Sequence, residues 1–274
     1  MQIHKMKISK SLRSRSLVES VAMAAILGLF SSASHAAPAG GVVAGGSATI
    51  SSSGAVTTIS QDSDRAVIDW QAFNLSEGET ARFFVPNSTS ATLNRISGGI
   101  ATISGSVESN GVVYFSNPNG LVFDATSRVT ANGFWATTGT ISNFDFMNRG
   151  EFSNPGNGSV TLNGAISAPV ITVQAGTVTV GGNLAAGSGK IRLSSTNLTT
   201  IGSGATISAD AGASGNAGSV IVWSDSHTDF FGRITANSAG GDGGFVEVSG
   251  KHTLNFRGTV STLAPHGRSG TLLL

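Results

Sequence analysis

The sequence predicts an all-β chain wound as a solenoid, and three observations lead there. Charged residues make up only 11% of the 274 residues, while there are 37 glycines. Ser, Thr, Asn, Val and Ile are abundant, so turn formers and β-branched residues replace helix formers. Two short apolar patterns then interleave through the second half, and neither carries a helical period.

The first pattern is an apolar residue followed by two small ones: Ile166-Ser167-Ala168, Leu184-Ala185-Ala186, Ile207-Ser208-Ala209, Ile234-Thr235-Ala236 and Val260-Ser261-Thr262, at steps of 18, 23, 27 and 26 residues. The second alternates apolar residues at Val160–Leu162, Ile191–Leu193, Val220–Val222, Val246–Val248 and Leu272–Leu274. Each unit is one or two short strands that cannot bury an apolar face alone, whereas stacking successive units can. Steps of this size suit the coils of a parallel β-helix. An antiparallel β-sandwich also accommodates short strands with glycine turns. The leucine/asparagine consensus of a leucine-rich repeat is missing.

Taken in order, residues 1–36 read as a secretory signal. Lys5, Lys7, Lys10, Arg13 and Arg15 precede the apolar run Val21–Phe30, and Ser34-His35-Ala36 offers small residues for cleavage after Ala36. Without them the chain keeps 11 basic and 14 acidic residues, net −3. The basic pI belongs to the leader, and nothing points to nucleic acid. The chain has no cysteine, so it carries no disulfide that would oppose threading through a pore.

Gly41–Ile50 reads as one strand, Ser51–Gly54 as a polar turn and Ala55–Ile59 as a returning strand. Asp64–Leu75 follows with large apolar residues, then a turn at Ser76–Glu79. Strands Ala81–Val85 and Ala91–Ile96 flank Pro86-Asn87. Val112–Phe123 is an apolar strand, the turn Asn117-Pro118-Asn119-Gly120, and a second strand. Asn at the first position bonds its own backbone, Pro presets φ, and Gly is favoured at the fourth, as in a type I turn. Twelve of the eighteen aromatic residues lie between Trp70 and Phe152. The first half is thus expected to have a large-side-chain core, with a soft boundary at 150–157 before the small-residue repeats.

Together these residues resemble the N-terminal secretion domain of the filamentous haemagglutinin family, the exported partners of two-partner secretion systems. The resemblance runs from Gly41 to about Asn143. It rests on Val42–Gly45, on Asp64–Trp70 with Phe73 and Asn74, on Leu93-Asn94-Arg95-Ile96, on Asn117–Leu121, and on Gly133–Thr138. Leu121 departs mildly from the family's Ile or Val. Downstream, Gly240–Gly250 and Gly270–Leu274 look like the first coils of large family adhesins, and Leu272–Leu274 falls inside a repeat strand as if the chain continued.

The resemblance implies a right-handed parallel β-helix with N-terminal capping strands. It implies three regions: the leader (1–36), a secretion domain (37–157), and a repeat region (158–274) that begins a longer adhesin. It also implies a partner, the periplasmic soluble domains of an outer-membrane β-barrel transporter, and, for the adhesin, host-cell or glycan ligands. The expected recognition motif is Asn117, Pro118, Asn119, Gly120 and Leu121. The expected cap and core motif is Asp69, Trp70, Phe73, Asn74, Leu93, Asn94 and Arg95. On this reading Asn117→Asp or Asn119→Ala lowers secretion more than folding.

No enzyme, cofactor or metal is expected. His227 among Asp225 and Asp229 reads as a polar turn, since no second histidine or nucleophile motif accompanies it. Gly240–Gly244 is a single copy of a glycine/aspartate turn, whereas calcium needs 6–8 oxygen ligands. The charges of 158–274 are scattered rather than paired as a lyase groove needs. A stand-alone secreted β-helix that binds surfaces is the alternative to the adhesin.

Overall fold

A computed structural model describes residues 37–274 apart from Gly150, Glu151 and Ser153. The expected leader, 1–36, lies outside the described residues. The chain winds as a parallel β-helix whose coils each lay down up to three short strands, on three ladders.

The cap comes first. β1 (Val42–Gly45) pairs antiparallel with β4 (Arg65–Trp70), and β2 (Ala48–Ser53) pairs antiparallel with β3 (Val56–Gln61). The stretch expected as one strand from Gly41 is two. Gly46 turns the corner between them at φ +74°, where a Cβ would collide with the Arg65 carbonyl. Ser51–Ser53 continues β2 rather than forming the turn, which falls at Gly54.

β5 (Thr80–Phe84) completes the first coil. The second coil is β6 (Ala91–Ile96), β7 (Ala101–Ile103) and β8 (Ser106–Ser109). The third is β9 (Val112–Ser116), β10 (Leu121–Phe123) and β11 (Arg128–Thr130). β12 (Gly133–Thr137) opens the fourth, and the chain then departs through a short helix, α1 (Asn143–Met147). It returns as β13 (Ser159–Leu162) and β14 (Ala165–Ser167). β15 (Val170–Val180) and β16 (Asn183–Ala185) make the fifth coil, and β17 (Lys190–Ile201) and β18 (Thr206–Ser208) the sixth. β19 (Ser219–Ser224), β20 (His227–Phe230) and β21 (Arg233–Thr235) form the seventh. β22 (Phe245–Gly250), β23 (Thr253–Phe256) and β24 (Thr259–Ser261) form the eighth, and β25 (Thr271–Leu273) begins a ninth.

The first repeat pattern holds in register, with Ile166, Leu184, Ile207, Ile234 and Val260 stacked on one ladder. The second holds from Ile191 through Val220 and Val246 to Leu272. Its first member does not. Val160 lies on the other ladder, between Leu121 and Val178, and Ile171 takes the place above Ile191. The His227 segment is strand β20 rather than a turn, with His227 and Asp229 3.0 Å apart on one side of it. Pairing crosses the expected boundary at 150–157 unbroken, β10 to β13 and β12 to β15.

Inside the early coils, rings meet edge to face from Trp70 to Phe73 (5.3 Å), Phe115 (5.1 Å), Phe123 (5.8 Å) and Phe134 (5.2 Å). Such pairs each add about 0.5–1.5 kcal/mol to simple burial. Later interiors use Val, Ile, Leu and Ala. At the corner before the first-ladder strands, Gly189, Gly218, Gly244 and Gly270 stack so closely that a Cβ on each of the last three would strike the carbonyl of the glycine one coil earlier. That corner widens from residues 186–189 to 209–218 and stays wide at 236–244 and 262–270.

The described residues within 138–158 make the one large excursion of the described chain. Ser142 caps α1, its hydroxyl accepting from the Asp145 amide at 3.0 Å. α1 folds back over the outer side of the first ladder, where Ile141 and Phe146 bury against Val67, Ala91 and Leu93, with Val112 and Tyr114 at the margin.

Candidate functional site

The outward residues of β4, β6 and β9 stand in register, Asp69 beside Arg95 beside Ser116. Arg95 forks onto Asp69 through Nε (2.7 Å) and a terminal nitrogen (2.8 Å), the geometry guanidinium and carboxylate favour. Its other terminal nitrogen donates to the Ile141 carbonyl at 3.3 Å. The Ser116 hydroxyl donates to the Gly139 carbonyl at 2.6 Å. These residues, with Pro118, Asn119 and Thr140, line a shallow cleft of about 430 Å³.

The turn beside this cleft is pinned on several sides. The Gly120 amide closes it onto the Asn117 carbonyl (3.0 Å), and Asn117 Oδ1 accepts from the Asn119 amide (3.0 Å). Asn117 Nδ2 donates to Gly99 O (2.9 Å), Asn119 Nδ2 to Gly98 O (2.6 Å), and the Asn117 amide to Thr137 O (3.0 Å). Asn117 is fully buried. Its amide is occupied holding the corner between the neighbouring coils, and only Pro118 and Asn119 face solvent. Asn117→Asp would set a carboxylate against the Gly99 carbonyl, so it acts on folding first. Asn119 is exposed, and its side chain makes one hydrogen bond, to Gly98 O.

The remaining motif residues sit behind the cleft. Trp70 Nε1 donates to Asn94 Oδ1 (3.0 Å), and Asn94 Nδ2 donates to Tyr114 O (3.2 Å), so the buried amide is satisfied on both sides. Phe73 packs between Trp70 and Phe115. Asn74 Oδ1 accepts from the Thr102 amide at 2.8 Å, fixing the corner beneath β7. Leu121 is buried between Ala101 and Val160 on the second ladder. Leu93 points outward under α1. The motifs therefore divide: Asp69, Arg95, Pro118 and Asn119 meet in the cleft, and the rest position them.

Sequence reasoning missed Arg65. It is buried, donates from Nε to the Phe146 carbonyl (2.7 Å), and lays its guanidinium 4.0 Å from the centre of the Phe146 ring. Arg149 reaches Asp64 (2.7 Å) and Asn143 donates to the Ala44 carbonyl (2.7 Å). These contacts fasten the excursion to the cap. Burial pushes the Tyr114 hydroxyl up, with Arg65 working against it, so it stays neutral at physiological pH. The one sequence signal that could have pointed to α1 is the capping pair Ser142 and Asp145.

The TPS secretion domain family model matches residues 34–263. Two heme/hemopexin-binding proteins of Haemophilus influenzae are similar. One, from strain Rd, is 35% identical over 102 residues, covering 37% of this chain and 11% of that protein. The other is 39% identical over 82 residues, covering 30% and 9%. The matches thus span about a tenth of the length of these relatives. The HMW1 secretion domain of Haemophilus influenzae shares the fold, with a TM-score of 0.75 at 23% identity over 86% of this chain and 69% of that one. The chain belongs to the TPS secretion domain family, whose members are exported by two-partner secretion through an outer-membrane transporter.

Proposed function

We propose that the cleft formed by Asp69, Arg95, Pro118 and Asn119 is where the transporter's periplasmic soluble domains read this chain. One observation carries the reading: three sequence motifs separated by up to fifty residues bring polar side chains, half-buried Asp69 and Arg95 and exposed Asn119, to a single shallow cleft. An extended transporter segment laid there would meet a carboxylate, a guanidinium and an amide within one span, beside a stiff proline corner.

In this reading residues 1–36 deliver the chain to the periplasm, 37–157 carry the recognition face, and 158–274 are repeat coils of an adhesin displayed at the cell surface. Binding, not catalysis, is the role. The secretion-domain match supports this, rather than the ligand in the relatives' names.

The test is Asn119→Ala together with Pro118→Ala. Asn119 loses one exposed hydrogen bond, worth about 0.5–1.5 kcal/mol, so the purified domain stays folded by circular dichroism. Secretion through the transporter should fall severalfold. Full secretion of the folded double variant would sink the cleft as the recognition site.

A further inference from the structure

The first ladder has an unusual outer side. Down one column of register partners the outward residues are Val67, Leu93, Tyr114, Trp135, Thr172, Arg192, Ile221 and Glu247. The column starts apolar and turns largely polar where the excursion ends. Val67, Ala91 and Leu93 are as buried as residues of the helix interior. Strands buried on both faces need a cover, and this one comes from a later part of the chain. Residues 141–147 reach back over strands laid down far earlier in sequence.

We propose that the outer face of β4, β6 and β9 is a docking surface for the transporter's soluble domain, and that residues 141–147 compete with the transporter for it. This rests on the transporter reading above. Three observations support it. The face is continuous with the recognition cleft, since Thr140 lines the cleft and Ile141 accepts from Arg95. Beside the burial of Ile141 and Phe146, the cover is held by separable polar contacts: Asn143 to Ala44, Arg149 to Asp64, Phe146 to Arg65 and Ile141 to Arg95. Lifting it takes from Arg65 the Phe146 carbonyl and ring and leaves it, among the described residues, only the Tyr114 ring and hydroxyl.

That last point states what the face requires. The occupant is an amphipathic segment with an aromatic side chain inserted beside Leu93, and a carbonyl or carboxylate next to it to accept from Arg65. While the chain is engaged in the periplasm, the transporter fills this place. Once residues 141–147 dock, the same groups are satisfied within the chain and the transporter is displaced. Apparent affinity then scales with the fraction of molecules whose cover is open.

The experiment locks the cover. A Cβ at Gly45 would lie 3.7 Å from Met147 Sδ, so Gly45→Cys with Met147→Cys puts two thiols on facing side chains, to be closed by oxidation or by a short reducible cross-linker, in a chain that has no other cysteine. Binding of the folded domain to the purified soluble domain of its transporter is measured oxidised and reduced. The oxidised form should bind at least tenfold more weakly, with recovery on reduction. Phe146→Ala, which loosens the cover without a cross-link, should bind at least fivefold more tightly than wild type while its circular dichroism is unchanged. Equal affinity of oxidised and reduced forms, or a Phe146→Ala variant equal to wild type, would overturn the competition and leave the transporter reading standing. Absence of binding by every form would overturn both. A Phe146→Ala dimer on size exclusion would mean that the face takes a second copy's cover, which also overturns it.

Discussion

Around Phe115 the β-helix is filled by interlocking rings and closed on its outside by α1. Around Val222 it is filled by aliphatic side chains, and its outer face carries Arg192, Ser194 and Glu247 in solvent or half-buried. The two regions wind the same three ladders, yet each early coil depends on parts distant in sequence, while each late coil depends on the coil before and after it. The difference teaches that a solenoid can combine a cooperative head with an additive tail.

The sharpest way to break this comparison is Val246→Asp. Val246 is fully buried between Val220 and Leu272, and an unpaired carboxylate there costs more than about 4 kcal/mol. Hydrogen exchange should show the amides of β19 to β24 losing protection while those of β9 and β12 keep theirs. Simultaneous loss in both regions would make the whole helix one cooperative unit. Next in size is a pair. Phe115→Ala should cost about 3–5 kcal/mol, since it removes a ring shared by Phe73, Phe123 and Phe134. Val222→Ala removes two methylene equivalents, about 2 kcal/mol. Urea unfolding compares them, and equal costs would erase the distinction between ring-packed and aliphatic interiors.

The smallest effect is expected at Arg268, which is 90% exposed and bonds Asp242 at 2.7 Å. Its hydrogen bonds hold the Asp242 carboxyl below the usual carboxylate range. A depressed carboxylate stabilises above its unfolded pKa of about 3.9, and that contribution is lost as pH falls through the folded value. Thermal melts of Arg268→Ala and wild type should coincide within error at pH 7, because exposed pairs contribute little. Any gap must close below about pH 4.

The solenoid was legible in sequence because its repeat steps are written in apolar residues that stack in register, such as Ile207 over Ile234. The third strand of each coil was not. In β15 the alternation runs on from Val170 to Val180, and the bend that moves it to another ladder is marked only by Gly176. This is why Val160 was placed on the wrong ladder. The excursion was hidden for another reason: α1 is five residues long, too short for a helical period to show. At the site, the turn chemistry of Asn117–Gly120 could be read directly. The burial of Asn117 could not, because the carbonyl its side-chain amide donates to, that of Gly99, is supplied by the preceding coil.

The corner ended by Gly189, Gly218, Gly244 and Gly270 has a practical consequence. Strand spacing there is fixed by backbone touching backbone, yet the chain just before each glycine changes length from coil to coil without shifting any ladder. Lengthening such a loop costs little more closure entropy. Residues 210–216 are therefore a natural graft site: a foreign peptide inserted there, with Gly218 retained, would ride out through the envelope on the surface of a folded and exported scaffold.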